Sequence, residues 1–442
     1  MASSIFVGRM YRHIYAAQCV SLIGTGLASV ALGLTAFDLA EADASIVLGI
    51  IFSIKMITYV GLAPVAAALC AKRDRRKVLV FLDILRAGVV LAMPFASELW
   101  HIYILVLLLH AASAAFTPAF LATIPDIFSD EGDYTRALSA SRIAQDLEML
   151  ASPVMAAMLL IVIPSGSLFV ITSLGFIASG LLILSVLLPP PAPQPERSFR
   201  SKTLRGMEIY FKTPRLRGYL ALNFGAAAIG ATIFVNTVAI VRGELGLSES
   251  ALALTMFAFG AGSVSAAVLL PRSLNRFGDR RTTLVGSVIA AAAFGFLAFW
   301  TTMHEISWPA VLGTWAVAGF GYVSVLTPSG RLLTRSAERA DRPSLFAARF
   351  ALSHGCFLFT YPLAGWLMSA VPLSTMLGAM SLITVIGALV GTVLWPAHDP
   401  EKLRHSHPEL NSDHPHLSTG HPHSHKYQIN DLHSAWPRHA DH

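Results

Sequence analysis

The 442 residues predict an all-α membrane protein of twelve transmembrane helices in two six-helix halves, and three observations predict it. Hydrophobic residues make up 54% of the chain and charged residues 13%, about half the share of an ordinary globular domain, which leaves too little polarity to cover a water-facing surface. Apolar runs of about 20 residues, each long enough to cross a hydrocarbon core about 30 Å thick, recur along nearly the whole length. No alternating barrel pattern accompanies them, so the backbone groups in lipid must be satisfied inside helices.

The first six runs are Ile14–Phe37, Ile46–Cys70, Val78–Ala96, Ile102–Ile124, Ala137–Ile163 and Ser167–Leu188. The second six are Tyr219–Val241, Ala251–Leu270, Thr283–Thr302, Pro309–Leu326, Leu345–Val371 and Ser374–Leu394. The N-terminal stretch has no small-residue cleavage site, so the first run reads as a retained span. Of 32 Lys and Arg, 27 fall on one side if the N-terminus is cytoplasmic, and only Arg242 lies in an opposite loop; Lys55, Arg86, Arg142 and Arg349 sit inside spans. That asymmetry predicts both termini in the cytoplasm of a cell whose inner membrane holds the protein. It also makes the net charge of +6 orientational, against nucleic-acid binding. Cys19, Cys70 and Cys356 lie in or at the ends of apolar runs and imply no disulfides.

The sequence divides into a half over 1–188, a linker over 189–217, a second half over 218–396 and a tail over 397–442. The linker starts Pro-rich and continues as a basic, interfacial helix. The halves echo each other: Thr117-Pro118 matches Thr327-Pro328, and Arg142 followed by Pro153 matches Arg349 followed by Pro362. Internal repeats of this kind hold substrate between halves near the membrane midplane.

Twelve spans in two halves, the basic loop AKRDRRKVLVFLDILRA and a similar stretch RSLNRFGDRR resemble the major facilitator superfamily. The segment TPSGRLLTRSAERADRPSLFAARFALSHGCFLFTYPLAGWL and the His-rich tail resemble, more narrowly, the nickel-resistance efflux permeases of the NreB type. That resemblance implies export of nickel, and also of cobalt, driven by protons. The sequence departs from it where Ala71 and Ala67 replace the usual Asp and Gly of the basic loop, which leaves Asp74 to take over part of the latch.

The tail holds 11 of the 16 histidines among Pro, Ser and Asp, a composition that favours disorder. His405 and His407, His414 and His416, and the triplet His421, His423 and His425 are spaced two residues apart, and a flexible chain could bring several imidazoles to one metal ion; a solubilising tail is the plainer alternative. Ionisable groups inside a span cost several kcal/mol unless paired or wet, so each is a candidate. His354 lies near mid-depth with Ser353 beside it, while Cys356 points about 200° away on a helix. In the fifth span Arg142 and Asp146 share a face, and Asp146 or Glu148 could carry the exchanged proton or ligate the cation; an Arg142–Asp146 pair is the structural alternative. His110 is a further substrate-binding candidate, or a satisfied core histidine. Asp74, Arg75, Asp83, Arg86, Arg142 and Arg349 are assigned to gating, and Lys55 to structure, snorkelling or paired with Asp38.

The reading is therefore a proton-coupled exporter of a divalent cation with no cofactor, a monomer in the bilayer, and not an enzyme. Two alternatives remain. A multidrug or macrolide-type exporter would carry the tail incidentally, and a metal sensor would bind without transport.

Overall fold

The computed structural model describes the chain except residues 1–7, 41–42, 71–72, 129–132, most of 134–157, 190–198, 339–340, 400–401, 406–422, 431, 434 and 437–442. The first half holds α1 (Arg9–Ala40), α2 (Ala44–Cys70), α3 (Arg75–Ala92), α4 (Leu99–Ile127) and α5 (Ser167–Leu184). Helical residues between 133 and 160 mark the span that precedes α5. A separate helix, α6 (Phe199–Lys212), leads into the second half, which holds α7 (Pro214–Ala231), α8 (Glu249–Met303), α9 (Trp308–Leu326), α10 (Ser329–Ser336), α11 (Arg342–Ala370) and α12 (Leu373–Leu394). The fold class expected from the sequence is the one observed.

Local chemistry sets the boundaries. Asp74 caps α3 by accepting from the Lys77 N–H at 3.2 Å, and Ser248 caps α8 by accepting from the Ala251 N–H at 3.3 Å. Nine helices among the described residues are long and apolar enough to cross a membrane, and α8, at 55 residues, contains both the expected eighth and ninth spans. The two meet at Gly278, whose φ of 77° and ψ of 171° are non-helical and would strain any side chain. Beyond α7 the helix widens into π turns at Thr232–Asn236 and Ala239–Glu244, which hydropathy does not reveal.

The two halves repeat the same hydrogen bonds. Thr172 on α5 donates to the carbonyl of Gly24 on α1 at 3.1 Å, and Thr384 on α12 donates to Gly225 on α7 at 3.0 Å. Ser173 donates to Ala87 on α3 at 3.0 Å, and Ser381 donates to Ala291 on α8 at 2.7 Å. Arg76 donates to the Leu184 carbonyl ending α5, as Arg280 donates to the Trp395 carbonyl beyond α12 at 2.7 Å. Each half thus clamps its last span to its first and third by hydroxyls that satisfy themselves on backbone, the economical choice in lipid.

At the end of the bundle opposite the basic loops, the halves meet closely. A Cβ at Gly365 on α11 would lie 2.3 Å from the Ser45 carbonyl oxygen of α2, and one at Gly49 on α2 would lie 3.0 Å from that of Tyr361. Arg242 pairs with Glu249 at 3.4 Å and covers the Phe37 ring at 5.5 Å. This end is shut.

The basic-loop end is tied within each half instead. Arg75 pairs with Asp126 at 3.5 Å in the first half. In the second, Asp279 pairs with Arg331 at 3.2 Å and Arg335 at 3.8 Å, and Arg335 also reaches Asp399 at 3.2 Å. The charges are reversed between halves at equivalent places. The linker helix α6 packs on α11 rather than lying free at an interface: a Cβ at Gly206 would lie 2.0 Å from the Ser344 carbonyl, and Arg205 pairs with Asp341 at 3.5 Å. A hydrogen bond from Lys212, with Arg205 helping, holds the Glu208 carboxyl below its usual range.

The tail corrects the expectation of disorder where it is described. Lys402–His405 (β1) pairs antiparallel with His423–Lys426 (β2), setting His405 opposite His423. The following residues dock: Tyr427 and Ile429 are buried, Gln428 donates to the Arg335 carbonyl at 3.1 Å, and Arg215 covers the Trp436 ring at 5.1 Å. Composition pointed to disorder because the few apolar residues that anchor this segment sit at its far end.

Candidate functional site

A cavity of about 540 Å³ lies between the halves. From the first half, α1 supplies Gln18 and Gly26, α2 supplies Lys55 and Tyr59, α3 supplies Arg86, and the span before α5 supplies Glu148 and Ser152. Lys55 and Tyr59 are four residues apart and so share one face of α2. Lys55 and Glu148 lie within electrostatic range of each other. Glu148 Oε1 and Ser152 Oγ both abut Gly26: a Cβ there would sit 2.8 Å and 2.0 Å from them. That close approach of α1 sets where the carboxylate lies.

From the second half come Thr237 and Val238 beside the π turns, Met256 on α8, Tyr322 on α9, and Arg349, Ser353 and His354 on α11. The His354 ring stacks on Tyr59 across the cavity, with centroids 5.7 Å apart and planes at 14°, and its Nδ1 lies 2.8 Å from the Phe350 carbonyl. The π turns widen α7 where it meets the cavity, a place where such turns are common.

The other sequence candidates fall differently. Cys356 is 6% exposed and lies 3.6 Å from Asn223 Nδ2, off the cavity wall. His110 is buried behind Tyr59, with ring centroids 6.1 Å apart, and does not line the cavity either. Asp83 and Arg86 form a pair within the first half, with Arg86 also reaching the cavity wall, not a gate at the basic loop; Arg86 lies over the Phe116 ring at 4.0 Å. Asp74 is a helix cap, and the contact at this loop runs through Arg75 to Asp126. Lys55 neither snorkels nor pairs with the exposed Asp38; it lines the cavity. Arg142, Asp146, His407, His414, His416 and His421 lie outside the described residues, as does Ala71.

Sequence reasoning passed over Asp126, Asp279, Arg335 and Asp399, whose partners are distant along the chain. It saw Lys55 but assigned it to structure, although a buried amine in a span is itself a site signal.

The comparisons agree with this architecture. The Major Facilitator Superfamily profile matches residues 14–237 and again 220–426. An uncharacterized MFS-type transporter of Bacillus subtilis, YvqJ, is 23% identical over 390 residues, 83% of this chain and 89% of that protein. Macrolide efflux protein A of Streptococcus pyogenes is 28% identical over 182 residues, 40% of this chain and 44% of its own length. Among solved structures, the inward-facing, unoccupied bacterial homolog of the human lysosomal transporter Spinster aligns with a TM-score of 0.67 at 12% identity, covering 87% of this chain and 96% of that one. The nucleoside transporter NupG aligns with a TM-score of 0.66 at 15% identity, covering 88% and 100%. With a cavity between two repeated helical halves and a profile match across each half, the chain belongs to the Major Facilitator Superfamily and is a multi-pass membrane transporter.

Proposed function

We propose that this transporter exports a divalent transition-metal cation, nickel first and cobalt second, from the cytoplasm in exchange for protons. The observation that carries the reading is that a carboxylate, Glu148, and an imidazole, His354, line one cavity from opposite halves, in a chain whose tail hairpin sets His405 opposite His423. Imidazole suits nickel and cobalt, and both donors must lose a proton to bind metal and regain one to release it. Histidine, with a reference pKa of about 6.5, changes charge between ordinary cytoplasmic and external conditions.

In this reading the basic loops face the cytoplasm of a cell whose inner membrane holds the protein, and the closure at Gly365 and Gly49 faces outward. The state described is then open toward the cytoplasm, where the tail raises the local metal concentration. Opening the outer closure admits protons to Glu148 and His354, and the metal leaves. The transporter works as a monomer, each half forming one wall.

The test is nickel uptake into everted vesicles under an imposed pH gradient. The intact chain should accumulate nickel only with the gradient. His354→Ala should lower uptake by about tenfold or more, the scale of one lost ligand. A chain ending at Asp399 should keep its maximal rate and need several-fold more nickel to reach half of it, since the tail acts through effective concentration. Intact-rate uptake by His354→Ala would contradict the site.

A second reading has its own support: the aromatic wall formed by Phe52, Phe357 and Tyr361, together with the partial similarity to a macrolide efflux protein, favours an organic cargo. Under that reading macrolide resistance would survive loss of the tail, and nickel would not accumulate.

A further inference from the structure

The cavity is larger than a bare divalent ion requires, and an ammonium, that of Lys55, lines it. An ion with six inner waters fills about 180 Å³ at roughly 30 Å³ per water. The space between the halves is about 540 Å³. Lys55, Arg86 and Arg349 line it, against one lining carboxylate among the described residues, Glu148. Asp83 pairs with Arg86. Lys55 and Glu148 feel each other's charge but make no direct ion pair among the described residues. A naked dication would meet repulsion from the Lys55 ammonium.

The donor set is also short. A tetragonal or octahedral ion needs at least about four ligands. The walls offer Glu148 and His354, and no group of three His, Cys, Asp or Glu side chains able to hold a metal occurs among the described residues. A small ligand carried with the ion would supply further donors.

A further feature suits an organic ligand. Phe52 stacks on Tyr361 at 4.8 Å, and Tyr361 on Phe357 at 5.0 Å, presenting flat apolar faces. Ser113 and Ser152, whose hydroxyls bond Tyr59 and the Glu148 carboxyl, add short polar side chains to the same wall.

We infer that the cargo crosses as a metal chelate: a divalent transition ion already held by a small, carboxylate-bearing organic ligand. The ligand's carboxylate pairs with the Lys55 ammonium, its frame lies on the aromatic faces, and the metal's open positions turn to Glu148 and His354. Lys55 is then a specificity residue, distinguishing the anionic edge of a chelate from a hydrated ion. The inference rests on the metal-export reading above.

The experiment keeps the two apart. Initial nickel uptake is measured in proteoliposomes of the full chain under a pH gradient, at fixed total nickel, as the aqua ion, with excess L-histidine and with excess citrate. At least one chelator should raise the rate about tenfold although free nickel falls, a gain of one well-made charged contact. Lys55→Arg should keep that rise; Lys55→Met and Lys55→Gln should lose it. Uptake that simply follows free nickel in all three mixtures overturns the chelate and leaves metal export standing. A chelator effect that survives intact in both Lys55→Met and Lys55→Gln overturns the role of Lys55. No uptake in any mixture removes the metal-export reading, and the chelate with it.

Discussion

Asp83→Ala is expected to cost about 3–5 kcal/mol of stability, the range for breaking a buried ion pair by removing one partner. Asp83 is fully buried, receives a hydrogen bond from Arg86 on its own helix and another from Ser179 Oγ at 2.8 Å, and so ties α3 to α5. Its loss strands a guanidinium between the Phe116 and Phe176 rings, 4.0 and 4.5 Å from their centroids, without its carboxylate partner. Thermal unfolding of the detergent-solubilised protein reads the loss directly. The double variant Asp83→Leu with Arg86→Met removes both charges and should recover most of the stability, because the penalty belongs to the uncompensated charge. If Asp83→Ala melts within a degree or two of the parent, the pair is not the buried fastening described here.

Gly365→Val is expected to leave each half folded and to change which end of the cavity is open. A Cβ at this position meets the Ser45 carbonyl at 2.3 Å, an overlap that backbone on both sides must move to relieve. Overpacking of this kind costs about 1–3 kcal/mol. Because the contact joins α2 to α11 across the halves, that cost falls on the closed arrangement alone and shifts the equilibrium about 5- to 150-fold toward the arrangement open at this end. A cysteine placed at Ser29, on the cavity wall, should then react with a membrane-impermeant maleimide applied from the side of the Arg242 loop in Gly365→Val and not in the parent. Equal labelling in both would show that this end is not a closure.

How much of this was legible in the sequence depends on what each feature rests on. The spans were legible because length and apolarity are local properties, and α6 was legible from its basic run. The π turns after α7 were not, since hydropathy is blind to whether a carbonyl accepts from the fourth or the fifth residue on. The short helix α10, between the tenth and eleventh spans, escaped for the opposite reason: it is polar enough to read as loop. Among the site residues, His354 and Glu148 announced themselves as ionisable groups at mid-depth. Lys55 gave the same signal, but one helix considered alone does not say which of its faces is lipid and which is cavity. The ties through Asp126, Asp279 and Asp399 depend on partners about 50 to 65 residues away and become visible only when the fold brings the ends of the spans together.

The central claim is that protons and metal exchange places at Glu148 and His354. The most direct measurement is the proton count released when nickel, free or chelated, is added to the purified, weakly buffered protein truncated at Asp399, so that the tail histidines do not contribute. The account predicts stoichiometric release from the truncated parent, a smaller release from Glu148→Gln and from His354→Ala, and none from the double variant. Nickel binding by the truncated parent with no proton release, or undiminished release from the double variant, would contradict it.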